Sequence, residues 1–261
     1  MKVLILAGGK GTRLSEETSL RPKPMVEIGG RPILWHIMKT YSHYGYNDFV
    51  ILLGHLGYYI KEFFANYFLH QSDVTFELKD NRMGVLQSAS EDWKVTLVDT
   101  GGETLTAGRI KRVEKYIDTP QFMLTYGDGV ADINIPELVK FHQGHEGIAT
   151  MTSIKPESRY GVLKADATGK VETFLEKPED SDTWINGGFF VCDREVLDYL
   201  PETPGSDDLM FERQPLERIA GEEKLYTYRH GGFWQCMDTL RDKQRLNDLW
   251  DGGKPVWKVW K

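Results

Sequence analysis

Leu6-Ala7-Gly8-Gly9-Lys10-Gly11-Thr12-Arg13-Leu14 sets three glycines into four positions directly behind an apolar run. Residues without a Cβ let backbone N–H groups come close to an anion, so the stretch reads as a cradle for phosphate. A tight strand-to-helix turn would use the same glycines; Arg13 and Lys23 tip the reading toward phosphate. The loop is not the dinucleotide fingerprint, because the position three after Gly11 is Leu14, and no G-x-x-x-x-G-K-[ST] string occurs.

Arg21-Pro22-Lys23-Pro24-Met25 holds a lysine between two prolines, which presents it from a stiff extended segment. A fixed cation suits chemistry on phosphates, although a surface lysine in a rigid loop has the same local sequence. Gly127-Asp128-Gly129 follows a buried apolar run, where open α/β sheets bind ligands, and makes Asp128 a metal candidate as well as an ordinary turn aspartate. A second carboxylate, Asp238, lies in Trp234-Gln235-Cys236-Met237-Asp238-Thr239 ahead of a helical stretch, where Asp238 or Thr239 can act as the helix cap. Two carboxylates together with phosphate oxygens are what Mg²⁺ takes, since it binds a few hard oxygens and keeps waters. Glu176-Lys177-Pro178 and Asn186-Gly187-Gly188 put an acceptor, a cation and an amide near one sheet edge, a set able to hold a sugar phosphate. His142 and His145 could share a helix face, but no third ligand accompanies them, and they read as surface residues.

The elements that must position these groups alternate. Val3 to Leu6 is a buried strand, and Ile33, Leu34, Ile37, Met38 and Tyr41 line one face of a helix that has Pro32 in its first turn and stops at Gly45. Phe49 to Leu53 is a strand, the aromatic repeat from Ile60 to Phe68 a helix, and Asp73 to Trp93 an antiparallel excursion or long loop. Strand Val95 to Val98, a helix carrying Ile110, Val113, Tyr116 and Ile117, and strand Phe122 to Tyr126 follow. Beyond them, strands are expected at Ile148 to Ile154, Tyr160 to Lys164, Val171 to Leu175 and Gly188 to Val191, and helices near Leu209 to Ile219 and Leu240 to Trp250. The order implies an α/β fold with a mostly parallel sheet flanked by helices.

With 261 residues, 40% of them hydrophobic and 27% charged, one domain spanning 1–261 accounts for the chain. The two cysteines, Cys192 and Cys236, form no framework and read as free thiols, which points to a cytoplasmic protein. A net charge of -7 argues against a nucleic-acid or anionic-membrane surface and leaves room for a small phosphorylated substrate. The tail from Gly252 to Trp260 exposes two tryptophans unless something covers them, which raises the expectation of a homo-oligomer.

In order along the chain, LAGGKGTRLSEETSLRPKPM, TYGDG, LEKP, INGGFF and MDT resemble the motifs of the sugar-phosphate nucleotidyltransferase family. The connecting text, including VEIGGRPILWHIMKTYSHYG, KEFFANYFLHQSDVTF, DTGGETLTAGRIKRV and HGGFWQCMDTLRDK, looks like the cytidylyl type, so the resemblance covers essentially the whole chain. It implies a Rossmann-like mixed sheet of the nucleotide-diphospho-sugar transferase type with inserted antiparallel strands. The implied reaction joins CTP to α-D-glucose 1-phosphate, giving CDP-glucose and pyrophosphate for deoxysugar and surface polysaccharide synthesis, with Mg²⁺ as cofactor. By resemblance, the nucleotide falls on Leu6, Ala7, Gly8, Gly9, Lys10, Gly11, Thr12, Arg13, Lys23 and Gly127. Arg13, Lys23 and Asp128 are implied in catalysis, and Asp128 and Asp238 in holding Mg²⁺. Glucose phosphate falls on Tyr160, Gly161, Glu176, Lys177, Asn186 and Gly187. The glutamine-containing stretch common in uridylyl and thymidylyl relatives is absent; Thr104-Leu105-Thr106-Ala107-Gly108-Arg109 stands instead, with Thr104 and Arg109 placed as contacts to CTP. A regulatory relative that binds without turnover would lack Arg13, Lys23 or an aspartate, and all are present.

Overall fold

The N-terminal apolar run forms strand β1 (Lys2–Ala7), in which Val3, Leu4 and Ile5 are wholly buried. Burying such a side chain contributes roughly 1.5–3 kcal/mol, and burial on both faces calls for a central strand. In a computed structural model of the chain, which describes residues 1–156, 162–168, 170–175, 183–202 and 207–261, β1 is indeed central. Helix α1 (Ile33–His43), strand β2 (Asp48–Leu53), helix α2 (Gly57–Ala65), strand β3 (Lys94–Asp99), helix α3 (Thr106–Arg112) and strand β4 (Gln121–Tyr126) then alternate. Parallel pairing gives the order β3-β2-β1-β4.

The second half adds strand β5 (Gly129–Ala131), helix α4 (Ile135–Gln143), strand β6 (Ala149–Ile154), strand β7 (Ile185–Asn186) and strand β8 (Phe190–Asp193). It ends with helix α5 (Gln214–Gly221), strand β9 (Leu225–His230), strand β10 (Trp234–Cys236) and helix α6 (Leu240–Asp251). Strand β8 joins β4 antiparallel, β6 joins β8 antiparallel, and β6 also carries β7 antiparallel and β9 parallel. The result is a mixed, mostly parallel sheet with apolar cores on both faces. The excursion between β2 and β3 is an antiparallel hairpin of Ser72–Glu77 and Arg82–Ser88.

Several local expectations shift. Pro32 does not enter the first turn of α1; it pairs with Glu27 in a short ladder and stands as the extended cap before Ile33. The helix expected through Ile117 gives way after Arg112 to a tighter turn at Glu114–Tyr116. The strand expected from Gly188 starts at Phe190, because Gly188 and Phe189 both take positive φ. The helix expected from Leu209 begins only at Gln214, since the residues before it bond to the N-terminus of α3, whereas the last helix begins at Leu240 as expected.

His142 and His145 are not surface residues. His142 is 2% exposed on the inner face of α4. The Gly147 N–H donates to His145 Nδ1 (3.0 Å), so His145 Nε2 donates to Thr150 Oγ1 (2.7 Å), which in turn donates to His142 Nδ1 (2.9 Å). The tail tryptophans are covered by the chain itself: Trp257 is fully buried and Trp260 is 8% exposed against α1. Trp257 donates its indole N–H to His36 Nδ1 (3.3 Å), while His36 Nε2 donates to the Ile28 carbonyl (2.9 Å). That fixes His36 as a neutral ring, and burial pushes its pKa down to about 4. The tail therefore gives no ground for a subunit contact. No helix among the described residues is long and apolar enough to cross a membrane.

Candidate active site

The C-terminal ends of β1 and β4 and the loop after β3 open on one cleft of about 500 Å³. Crevices at this edge are the usual ligand sites of open parallel sheets. Every residue from Leu6 to Arg13 lines it, with Lys23, Thr104, Arg109, Gly127 and Asp128. Residues distant in sequence are thus brought to one place by the strand order.

The loop after β1 is held by groups that leave no room for a side chain at Gly8 or Gly11. Gly11 has φ 64°, and a Cβ there would press on Thr18. The Thr18 hydroxyl lies 3.0 Å from the Gly11 carbonyl and 2.9 Å from the Leu14 carbonyl. Leu14, which breaks the dinucleotide pattern, is a fully buried anchor for the turn at Thr12–Leu14. A Cβ on Gly8 would collide with the Arg109 guanidinium. Arg109 itself is 4% exposed and donates to the carbonyls of Gly8 (2.9 Å), Leu53 (3.0 Å) and Gly101 (2.8 Å) and to the Thr100 hydroxyl (2.8 Å). It ties the ends of β1, β2 and β3 together, so its guanidinium is engaged with the protein's own oxygens on the cleft wall.

Lys23 is 7% exposed, and it lies not in an extended segment but at the start of a 3-10 turn, Lys23–Met25, after extended Pro22. Its ammonium donates to Asp128 Oδ2 (2.7 Å) and to Asp238 Oδ1. Burial opposes the charge on Lys23, but the two carboxylates outweigh it and hold its pKa above the ordinary lysine value. Arg13, mostly exposed, also donates to Asp238 (2.6 Å). Asp238 is half-buried; burial works against its ionised form, yet Lys23 and Arg13 leave its pKa below the usual carboxylate value. The competing role of helix cap falls to Thr239, which forms a capping box with Asp242 and frees Asp238 for the cations. Cys236, whose thiol is 3.7 Å from Asp238, is pushed up to about 12 by burial and the neighbouring carboxylates, so it stays a neutral thiol.

Asp128 and Asp238 are brought together by the β5–β10 ladder, in which Gly129 faces Cys236. Two carboxylates sharing one ammonium form a hard-oxygen pair that fits a divalent cation. Among the described residues no group of three His, Cys, Asp or Glu side chains gathers, so other oxygens would have to complete its coordination.

Of the residues expected to hold glucose phosphate, Asn186 and Gly187 sit in and just after β7; the Trp234 indole donates to the Gly187 carbonyl (2.8 Å). Tyr160, Gly161, Glu176 and Lys177 lie outside the described residues. The cleft also has Tyr126, Glu103, Thr106 and Met210 on its walls, none of which the sequence reading singled out. Glu103 pairs with Lys10 (2.7 Å), and Tyr126 ended a strand whose register alone places it at the cleft. The position of Tyr126 inside the TYGDG string was the available signal; Met210 offered none.

The profile of the nucleotidyl transferase family matches residues 2–239. The sequence is 53% identical over 261 residues to glucose-1-phosphate cytidylyltransferase from Salmonella typhi, covering all of both chains. It is 31% identical over 211 residues to UTP–glucose-1-phosphate uridylyltransferase from Synechocystis, covering 77% of this chain and 51% of that one. Among solved structures, HddC from Yersinia pseudotuberculosis superimposes with a TM-score of 0.68 at 23% identity, over 95% of this chain and 99% of that one, a likeness of fold. Sequence, fold and the position of the cleft agree: this chain belongs to the nucleotidyl transferase family, within its glucose-1-phosphate cytidylyltransferase group.

Proposed function

We propose that this protein transfers a cytidylyl group from CTP to α-D-glucose 1-phosphate, giving CDP-glucose and pyrophosphate. The observation that carries the reading is the meeting of Lys23, Asp128 and Asp238 beside the Gly8–Arg13 loop, in a chain 53% identical to a glucose-1-phosphate cytidylyltransferase. A phosphate oxygen of the sugar attacks the α-phosphorus of CTP in line, the bond from that phosphorus to the bridging oxygen breaks, and pyrophosphate leaves. The nucleophile is already anionic, so the protein's work is alignment and charge neutralisation, with no covalent intermediate on the chain. Backbone N–H groups of the glycine loop receive the triphosphate, and Lys23 and Arg13 offset charge as the transition state forms. Asp128 and Asp238 are the residues that would hold Mg²⁺, whose contribution when bound is to neutralise triphosphate charge. Thr104 and Arg109 bound the nucleotide wall, and Asn186 and Gly187, with Tyr160, Gly161, Glu176 and Lys177, form the sugar side.

The reading extends to a cytoplasmic enzyme that supplies deoxysugar synthesis for O-antigen and lipopolysaccharide. Self-association is proposed on the exposed apolar residues Phe76, Leu78 and Leu86 of the hairpin after β2, and sedimentation giving a monomer at micromolar concentration would sink it. The activity is tested by following pyrophosphate release with glucose 1-phosphate, Mg²⁺ and each of CTP, UTP, dTTP, ATP and GTP. CTP well ahead supports the reading. A preference for UTP or dTTP overturns the base assignment alone, and no release with any nucleotide overturns the activity.

A further inference from the structure

Residues 207–213 run along the N-terminus of α3. The amides of Leu105 and Ala107 donate to the carbonyls of Asp207 (2.7 Å) and Leu209 (3.0 Å), and the amide of Phe211 donates to Thr106 Oγ1 (2.8 Å). The segment ends by bringing in Glu212, whose two carboxylate oxygens go opposite ways. Thr106 donates to Oε2 (2.7 Å) and Tyr126 donates to Oε1 (2.8 Å). The Tyr126 oxygen in turn accepts from Asn186 Nδ2 (2.9 Å), and Asn186 Oδ1 accepts from the Gly188 amide (2.8 Å).

Proton bookkeeping fixes every direction in this chain. The Phe211 amide can only donate, so Thr106 has one hydroxyl proton left and it goes to Glu212. The Gly188 amide likewise fixes the orientation of Asn186, so Tyr126 accepts from the amide and its single proton also goes to Glu212. Both lines end on a group that must accept on two sides and donate on neither, and an ionised carboxylate is the side chain that does so. Burial, then the charge of Glu212, hold the Tyr126 pKa above the ordinary value, which keeps it a donor. Thr106 and Tyr126 line the cleft, whereas Glu212 does not.

We propose that Glu212 is a positioning residue that holds the nucleotide wall, through Thr106, and the sugar wall, through Tyr126 and Asn186, at one spacing, so that a single carboxylate sets the binding of both substrates. This rests on the cytidylyl transfer proposed above. Glu212→Gln is nearly isosteric but turns an NH₂ toward a hydroxyl that already has to donate, which breaks one line or the other.

The experiment measures KM and kcat for CTP and for glucose 1-phosphate separately on the full chain, with calorimetric binding of each and a thermal melt. Glu212→Gln is expected to raise both KM values about tenfold, with kcat changed less, since a positioning defect weakens binding to both substrates. Tyr126→Phe is expected to raise only the sugar KM, Thr106→Val only the nucleotide KM, and neither should add fully to Glu212→Gln. If Glu212→Gln does not fold, the Tyr126→Phe/Thr106→Val pair must reproduce both shifts. Unchanged KM values with a lowered melting temperature would overturn the proposal, as would a shift confined to one substrate in Glu212→Gln. Wild-type turnover is read first: its absence counts against the activity, whereas an active wild type with insensitive variants counts against Glu212 alone, and the calorimetric arm reads Glu212 in either case.

Discussion

Two regions of the cleft each contain a buried cation, and they treat it in opposite ways. Around Lys23 the partners are the carboxylates of Asp128 and Asp238, while around Arg109 they are the carbonyls of Gly8, Leu53 and Gly101 and the Thr100 hydroxyl. A charge held by carboxylates can be shared with incoming phosphates and a metal, because the partners remain charged and keep seeking cations. A guanidinium held by backbone carbonyls is fixed, since its departure strands several buried acceptors, each costing about 1–3 kcal/mol. The difference separates chemistry from scaffolding: the Lys23 region is built for charge to rearrange, and the Arg109 region keeps the loop ends from moving.

The sharpest way to break the comparison is Asp128→Asn. It should cut kcat by about 10²–10³-fold, as loss of one preorganised charge contact does, with the melting temperature nearly unchanged. A variant that keeps its turnover would mean that the Lys23 region is scaffolding too. Arg109→Lys should act on stability instead, lowering it by about 3 kcal/mol, or roughly 7 °C in melting temperature for a chain of this size. Gly8→Ala, which drives a methyl group into the same guanidinium, should share that phenotype; a Gly8→Ala protein that melts like wild type would show that Arg109 does not clamp the loop.

His36 supplies a titration control outside both regions. Its pKa is about 4 when folded and near 6.5 when unfolded, so the unfolded chain binds the extra proton between these values. The stability from keeping it neutral is therefore present above pH 6.5 and lost progressively down to pH 4, on the order of 3 kcal/mol. Denaturant melts of wild type and His36→Gln across that range should differ in slope, and equal slopes would refute the assignment. The smallest effect belongs to Thr239→Ala. Loss of the capping box should cost about 1 kcal/mol while kcat stays within roughly twofold, because Asp238 is held by Lys23 and Arg13 rather than by the helix. A large fall in kcat would join the cap to the chemistry and blur the separation.

The core strands were legible in the sequence because a strand buried on both faces is a short, nearly continuous apolar run, as are Val3 to Leu6, Phe49 to Leu53 and, interrupted only by Thr125, Phe122 to Tyr126. The glycine loop and Asp128 were legible because glycines and charged residues cluster there next to strand ends, and Lys23 because two prolines flank it. Strand order, which alone brings Gly8, Lys23, Arg109 and Asp128 to one edge, was not, since pairing depends on surfaces far apart in the chain.

Local pattern likewise settled that Asp238 precedes a helix, but only the fold decided that Thr239 caps it and that Asp238 turns to the cations. Tertiary contact also decided the fate of Trp257 and Trp260, which the sequence left bare and α1 covers, and of His142, drawn inward by Thr150. Glu212 carries no motif at all. By itself the sequence determined which residues can carry charge and where strands must lie, since composition and periodicity are local properties. Which charges meet, which hydroxyl finds which carboxylate and which cation is fixed were decided by the tertiary structure, because those depend on distances that only the packed sheet sets.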